Sequence, residues 1–174
     1  MSPAGRLSCR PVPRLEFKHI EVYLFRRRPR PRILVLRRSA GHRLPGVWQP
    51  VTGTLRRGES IFRAAAREVR EETGLTPECW WLLEAPTLYY DRQGRLLALP
   101  RFAAEVGIRQ VVRLSAEHDA HAFVAPATAA RRFLWDSQRE ALGAIGRQVL
   151  RRGAHARALE IPSRRFRGRR PRGN

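Results

Sequence analysis

GTLRRGESIFRAAAREVREETGL, Gly53 to Leu75, is the stretch on which the reading of this 174-residue chain turns. Ser60 is placed to cap a helix, residues 61–73 are rich in Ala, Glu and Arg, and Gly74 followed by Pro77 supplies the stop. At about 100° per residue, Phe62, Ala65, Ala66 and Val69 form an apolar stripe, and Glu68, Glu71 and Glu72 fall in the arc beside it. Carboxylates at i, i+3 and i+4 repel one another, costing an isolated helix a few tenths of a kcal/mol per pair. A divalent cation reverses that penalty, since carboxylate oxygens are the hard ligands Mg²⁺ prefers. One helix flank is therefore a candidate metal site and its neighbour a core face.

Outward from this helix the chain reads as strands. FKHIEVYLFRR, from Phe17, alternates and then becomes apolar on both faces; Arg32 to Arg37 is a short apolar run of the kind buried at the centre of a sheet, expected to pair with its predecessor. VWQPVTGTL is a strand interrupted at Pro50 and ending near Gly53. CWWLLEAPTLYY and RLLALPRFAAEV flank the turn-like DRQG and read as a long hairpin, with Trp80 and Trp81 in the core. AFVAP is a further short strand. Residues 127–152 form one or two amphipathic helices presenting Phe133, Leu134, Leu142, Ile145 and Val149 to the body. Residues 1–16 read as a flexible Pro/Arg-rich leader, 17–152 as the single domain, and 153–174 as an unpacked basic tail.

Composition bounds the function. There are 35 basic residues, all arginine except Lys18, against 15 acidic ones, for a net charge of +20, which makes anionic partners, phosphates first, the natural ones. Removing Ile161 to Asn174 leaves +14, so the basicity belongs to the whole chain. No apolar run reaches the roughly 18 residues that cross a bilayer, and no leader has the apolar stretch of a secretory signal. Cys9 and Cys79 read as reduced thiols, consistent with a cytoplasmic protein.

The full pattern is Gly53, five residues, Glu59, seven residues, then Arg67-Glu68-Val69-Arg70-Glu71-Glu72-Thr73-Gly74-Leu75. It resembles the Nudix box at every defining position, a match expected by chance at on the order of one in 10⁸ per window from background residue usage. Beyond the box the agreement with Nudix hydrolases is architectural: an α+β chain with a mixed β-sheet in an α/β/α sandwich. The resemblance implies Mg²⁺ or Mn²⁺ held by Glu68 and Glu72 first and Glu71 next, with the Gly53 carbonyl joining and Glu59 in support. It implies that Arg67 orients a neighbouring glutamate, and that the general base is Glu71 or a glutamate on a later loop, for which Glu117 is the candidate. LSAEHDAHAF resembles the acid-bearing loop of dihydroneopterin triphosphate pyrophosphatases, although Phe123 and His121 stand where that branch carries Trp and Tyr. VWQPVTG resembles the same branch, which nominates Trp48 and Thr52 for substrate, with Arg38 as a phosphate grip and Arg37 an equal geometric candidate. His42, His118 and His121 read as surface or packing residues.

The implied reaction is hydrolysis of a nucleoside diphosphate linked to another group, foremost a nucleoside or pterin triphosphate. Dinucleoside polyphosphates and the 5′ end of RNA are alternatives within that chemistry. A module that binds a nucleotide or RNA without turnover is the alternative outside it. The tail, with Phe166 among arginines, is either a nucleic-acid arm or a solvated end whose removal leaves hydrolysis of small nucleotides unchanged.

Overall fold

The computed structural model describes residues 15–84 and 87–166. Its centre is β2 (His19–Arg26) and β3 (Arg32–Arg38), antiparallel neighbours through Phe25 opposite Ile33 and Arg26 opposite Arg32. Both strands are apolar on two faces because helices cover both: Ile20, Val22, Leu24, Leu34 and Leu36 face one core, Tyr23, Phe25, Ile33 and Val35 the other. After β1 (Glu16–Phe17), β4 (Trp48–Gln49) and β5 (Val51–Thr54) are the two halves of the strand that Pro50 divides, β4 on β3 and β5 on β2.

Helix α1 (Ile61–Thr73) lies on the first face and buries Ala64, Ala65 and Val69. It starts where the Ser60 side chain accepts from the Arg63 N–H, and it stops at Gly74, whose φ of 68° is a left-handed conformation that glycine adopts without strain. The hairpin after the helix forms in two tiers. β6 (Cys79–Leu82) pairs with β9 (Arg101–Glu105) inside the main sheet, whereas β7 (Thr87–Tyr90) and β8 (Leu96–Leu99) join β1 in a small separate sheet. β9 runs parallel to β2, and β10 (His118–Val124) closes the other side on β3, giving the order β10-β3-β2-β9-β6-β11, where β11 is the short strand Glu160–Ile161. On the second face lie α2 (Pro126–Arg132) and α3 (Asp136–Ile145), the latter running into a π-helical turn over Gly146–Leu150. The result is the expected α+β sandwich with a mixed sheet.

Two expectations need correction. Leu134 does not face the body: it sits between α2 and α3 and is exposed, whereas Phe133, Leu142, Ile145 and Val149 are buried. The chain beyond Arg152 is also packed. It forms α4 (Ala154–Leu159) and then β11 (Glu160–Ile161), which pairs with β6. Phe166 then stacks on Trp80 with ring centroids 4.2 Å apart, edge-on to Phe62 and Phe102. An aromatic ring seated in an apolar cluster overrides the solvation of the arginines flanking it. The body extends at least to Phe166; the leader up to Arg14 and the tail from Arg167 lie outside the described residues.

Candidate active site

Strand β5, the loop behind it, α1 and the turn before β10 converge on a cleft of about 770 Å³ lined by Gly53, Arg67, Glu68, Glu71, Glu72, Arg38 and Glu117, among others. It is continuous with a second hollow of about 760 Å³ on the α3 side, reached past His19, Glu21, Thr52 and Tyr89 and walled by Trp135 and Ser137.

Arg67 organises the acidic cluster. Its Nε and Nη2 donate to the two oxygens of Glu59 at 2.9 and 2.8 Å, Nη1 lies 2.7 Å from Glu68 and 3.1 Å from Glu71, and Nη2 also reaches the Thr54 carbonyl. The bidentate pair holds the Glu59 carboxyl down at about 2. Arg67 thus contacts Glu59, Glu68 and Glu71 at once, and its guanidinium is fully engaged. Glu71, about half exposed, is held from its other side by Arg56 at 3.2 Å.

Glu72 differs from its neighbours because it is buried. One face of its carboxyl accepts from the Thr52 backbone N–H, while Oε2 has no partner, and desolvation together with the charges of Glu68 and Glu117 pushes it up to about 9. The Nδ1 of His118, also buried and unpartnered, stands 3.8 Å away. Burial draws that imidazole down to about 4, so at neutral pH the contact is between two neutral groups rather than an ion pair. Gln49 contacts the other His118 nitrogen at 3.3 Å. His118 is therefore a packing residue, but one packed against a site carboxyl.

Gly53 is glycine because α1 crosses it closely: a Cβ there would lie 2.5 Å from Glu68 Oε1 and nearer still to the rest of that side chain. The buried Glu72 carboxyl and the half-buried Glu68 carboxyl, both raised, with one oxygen orphaned, have the donor chemistry of a hard divalent cation. As the side chains stand, among the described residues no three acidic, histidine or cysteine groups share a metal-binding point. The reason is visible in Arg67, which draws Glu68 and Glu71 onto itself.

Register separates the two arginines of β3. Arg38 follows Leu34 and Leu36 toward α1, lines the cleft and keeps a buried Nε without a partner. Arg37 takes the opposite face and binds Asp119 at 2.7 Å. The same register displaces Trp48, which pairs with Arg37 and so points toward α2, where Arg132 stacks on its ring at 4.6 Å. Trp48 packs on the second core and does not line either hollow, contrary to its nomination as a substrate residue. Thr52 does line both, opposite Glu21. Glu21 was missed by motif reasoning: it is 4% exposed, accepts from Tyr23 Oη at 2.7 Å and from Gln138 at 3.2 Å, and borders both hollows. Its signal was an acid in an otherwise apolar strand. Arg43 and Tyr89, reaching in from the loop after β3 and from β7, carried no signal at all.

The fold, with an acidic helix facing a cleft walled by arginine, defines the class of domain to which the chain belongs. A family model described as NUDIX domain matches residues 17–144, and the chain belongs to that family. Among solved structures it is similar to the C. elegans Ap4A hydrolase (22% identity, TM-score 0.62, 74% of this chain and 94% of that one). It is likewise similar to the E. coli dihydroneopterin triphosphate pyrophosphohydrolase (23% identity, TM-score 0.60, 75% and 98%). The NUDIX domain of Shewanella oneidensis NrtR, solved with ADP ribose, matches at 17% identity and TM-score 0.62 over 78% and 87%. At these identities the likeness is one of fold. A protein of Myxococcus xanthus named octanoyltransferase is 40% identical over 116 residues, 66% of this chain, but the match spans only 32% of that relative's length. No helix among the described residues is long and apolar enough to cross a membrane.

Proposed function

We propose that this chain hydrolyses a nucleoside or pterin triphosphate to the monophosphate and pyrophosphate with Mg²⁺ or Mn²⁺ bound. Glu68 and Glu72, then Glu71 and the Gly53 carbonyl, would hold the ion, with Glu59 supporting the cluster through Arg67. When bound, the ion supplies charge neutralisation on phosphate oxygens and a more acidic water. Arg38, with its free Nε, receives a phosphate oxygen. Water oxygen attacks phosphorus, its proton passes to the carboxylate of Glu71 or Glu117, and the bridging P–O bond breaks with its electron pair leaving on the pyrophosphate. Glu71 and Glu117 are both exposed enough to exchange that proton with solvent.

The observation that carries this reading is the buried Glu72 carboxyl, with an unpartnered oxygen, among other carboxylates. Such an arrangement is costly unless a cation offsets it. The test is pyrophosphate release from a panel of nucleoside triphosphates, dinucleoside polyphosphates, nucleotide sugars and triphosphorylated RNA, for the parent and Glu72→Gln. Metal-dependent turnover that the variant loses while melting normally supports the reading; equal turnover by the variant refutes the assignment. Comparing Glu71→Gln with Glu117→Gln across pH then separates the two candidate bases.

A further inference from the structure

Behind the acidic cluster, on the outer side of α1, lies a groove of about 770 Å³ lined by Arg56, Arg57, Arg63, Arg67 and Arg70, with Phe166 at its edge. It runs on into a smaller hollow of about 510 Å³ formed by Arg70, Gln110, Val111 and Arg113. Arg63, Arg67 and Arg70 recur at i, i+4 and i+7, so they form one stripe along two turns of the helix. Arg67 is consumed by Glu59, Glu68 and Glu71, and Arg56 reaches Glu71. Arg57, Arg63, Arg70 and Arg113 are exposed and have no ion-pair partner among the described residues. Four uncompensated guanidinium groups thus follow one track, and Val111, 75% exposed, and the Phe166 ring give it apolar floor.

The groove meets the active-site cleft: Arg56, Arg67 and Glu71 line both. We propose that this track binds the phosphodiester backbone of a single-stranded nucleic acid whose 5′ phosphates enter the cleft. Fixed guanidinium forks match successive phosphates, and apolar floor between them suits unpaired bases rather than a duplex edge. The 13-residue α1 is about 20 Å long, and a stacked strand sets a phosphate about every 3.4 Å, so about six nucleotides span the track. Four contacts at about 0.7 counterions each give a salt slope near −3, or about a 50-fold loss of affinity between roughly 50 and 200 mM salt.

The cleft end of this proposal rests on the pyrophosphohydrolase reading, and the track itself does not, so the experiment separates them. Anisotropy of labelled 5′-hydroxyl oligonucleotides of two, six and twelve nucleotides, without metal, measures the track alone. Affinity should rise from two to six nucleotides and then level, and Arg57→Glu/Arg63→Glu/Arg70→Glu should lower it at least tenfold and flatten the slope toward −1, with the melting temperature and mononucleotide turnover unchanged. Binding by the triple variant equal to the parent's, tighter binding of a duplex, or competition by inorganic tripolyphosphate as strong as by the hexanucleotide would each overturn the track. Intact oligonucleotide binding with no release of phosphate or pyrophosphate from a 5′-triphosphorylated strand in Mn²⁺ would overturn its link to the cleft.

Discussion

Gly53→Ala tests the close crossing of β5 and α1. Gly53 has no left-handed backbone requirement, so the strand accepts a Cβ, and the conflict is confined to one neighbour, the Glu68 side chain. The new methyl would overlap Glu68 Cγ and Cδ and lie 2.5 Å from Oε1, where ordinary contact begins near 3.4 Å, so the whole side chain, carboxylate included, must retreat by more than about 1 Å. Rotation about χ1 carries Cγ, Cδ and the carboxylate away together, so the side chain can leave without moving the helix. A misplacement of that size in a reacting constellation costs on the order of 10²-fold, equivalent to about 2.7 kcal/mol in the barrier. Steady-state pyrophosphate release at saturating Mg²⁺ should therefore show kcat lowered about a hundredfold, with a thermal midpoint within a few degrees of the parent. A folded variant within threefold of parental kcat would falsify the role given to Glu68, and a variant that fails to fold would show that the crossing is structural.

The remaining predictions concern charge and packing. The raised Glu72 carboxyl favours the folded state while protonated, so without metal its contribution should be full below its unfolded value of 4.5 and be lost as pH climbs from there through about 9, by at most about 1.4 kcal/mol per unit; Glu72→Gln or saturating Mn²⁺ should level the melting profile. His118, depressed to about 4, acts oppositely: its contribution is present above its unfolded value of 6.5 and is lost as pH falls toward 4, which acid melting of His118→Gln should diminish. Arg67→Ala leaves the half-buried Glu59 without its partner and should cost about 2 kcal/mol in urea unfolding together with most of the activity; full stability would refute its organising role. Phe166→Ala should lose about 2 kcal/mol of stability with kcat for mononucleotides retained, and an unaltered midpoint would show that the ring's seat on Trp80 is incidental.

How much of this was legible in the sequence depended on whether the signal was local. The box helix, its Ser60 cap and Gly74 stop, the break at Pro50 and the hairpin around DRQG all announce themselves within a few residues, and each stands where the sequence placed it. What depends on strand pairing did not. Whether Arg37 or Arg38 enters the cleft is a one-residue question of register, and the pairing of β3 with β4 answers it and removes Trp48 at the same time. Glu21 becomes a cleft residue through its pairing with Thr52, and Gln138, 117 positions away, holds its carboxyl there. The packed C-terminal segment was hidden by composition: a two-residue strand has no periodicity, and a lone Phe among arginines has the pattern of a solvated tail.

One guanidinium satisfies three acids here, and that sets the state the acidic cluster holds without a cation. Glu59 stays with Arg67 in any event, while Glu68 and Glu71 lean on the same positive group that an incoming cation would replace. Under the proposed metal assignment Arg67 would be a resident placeholder: chelator-stripped protein should keep its shape, and reloading would need two carboxylates to change allegiance rather than a chain to refold.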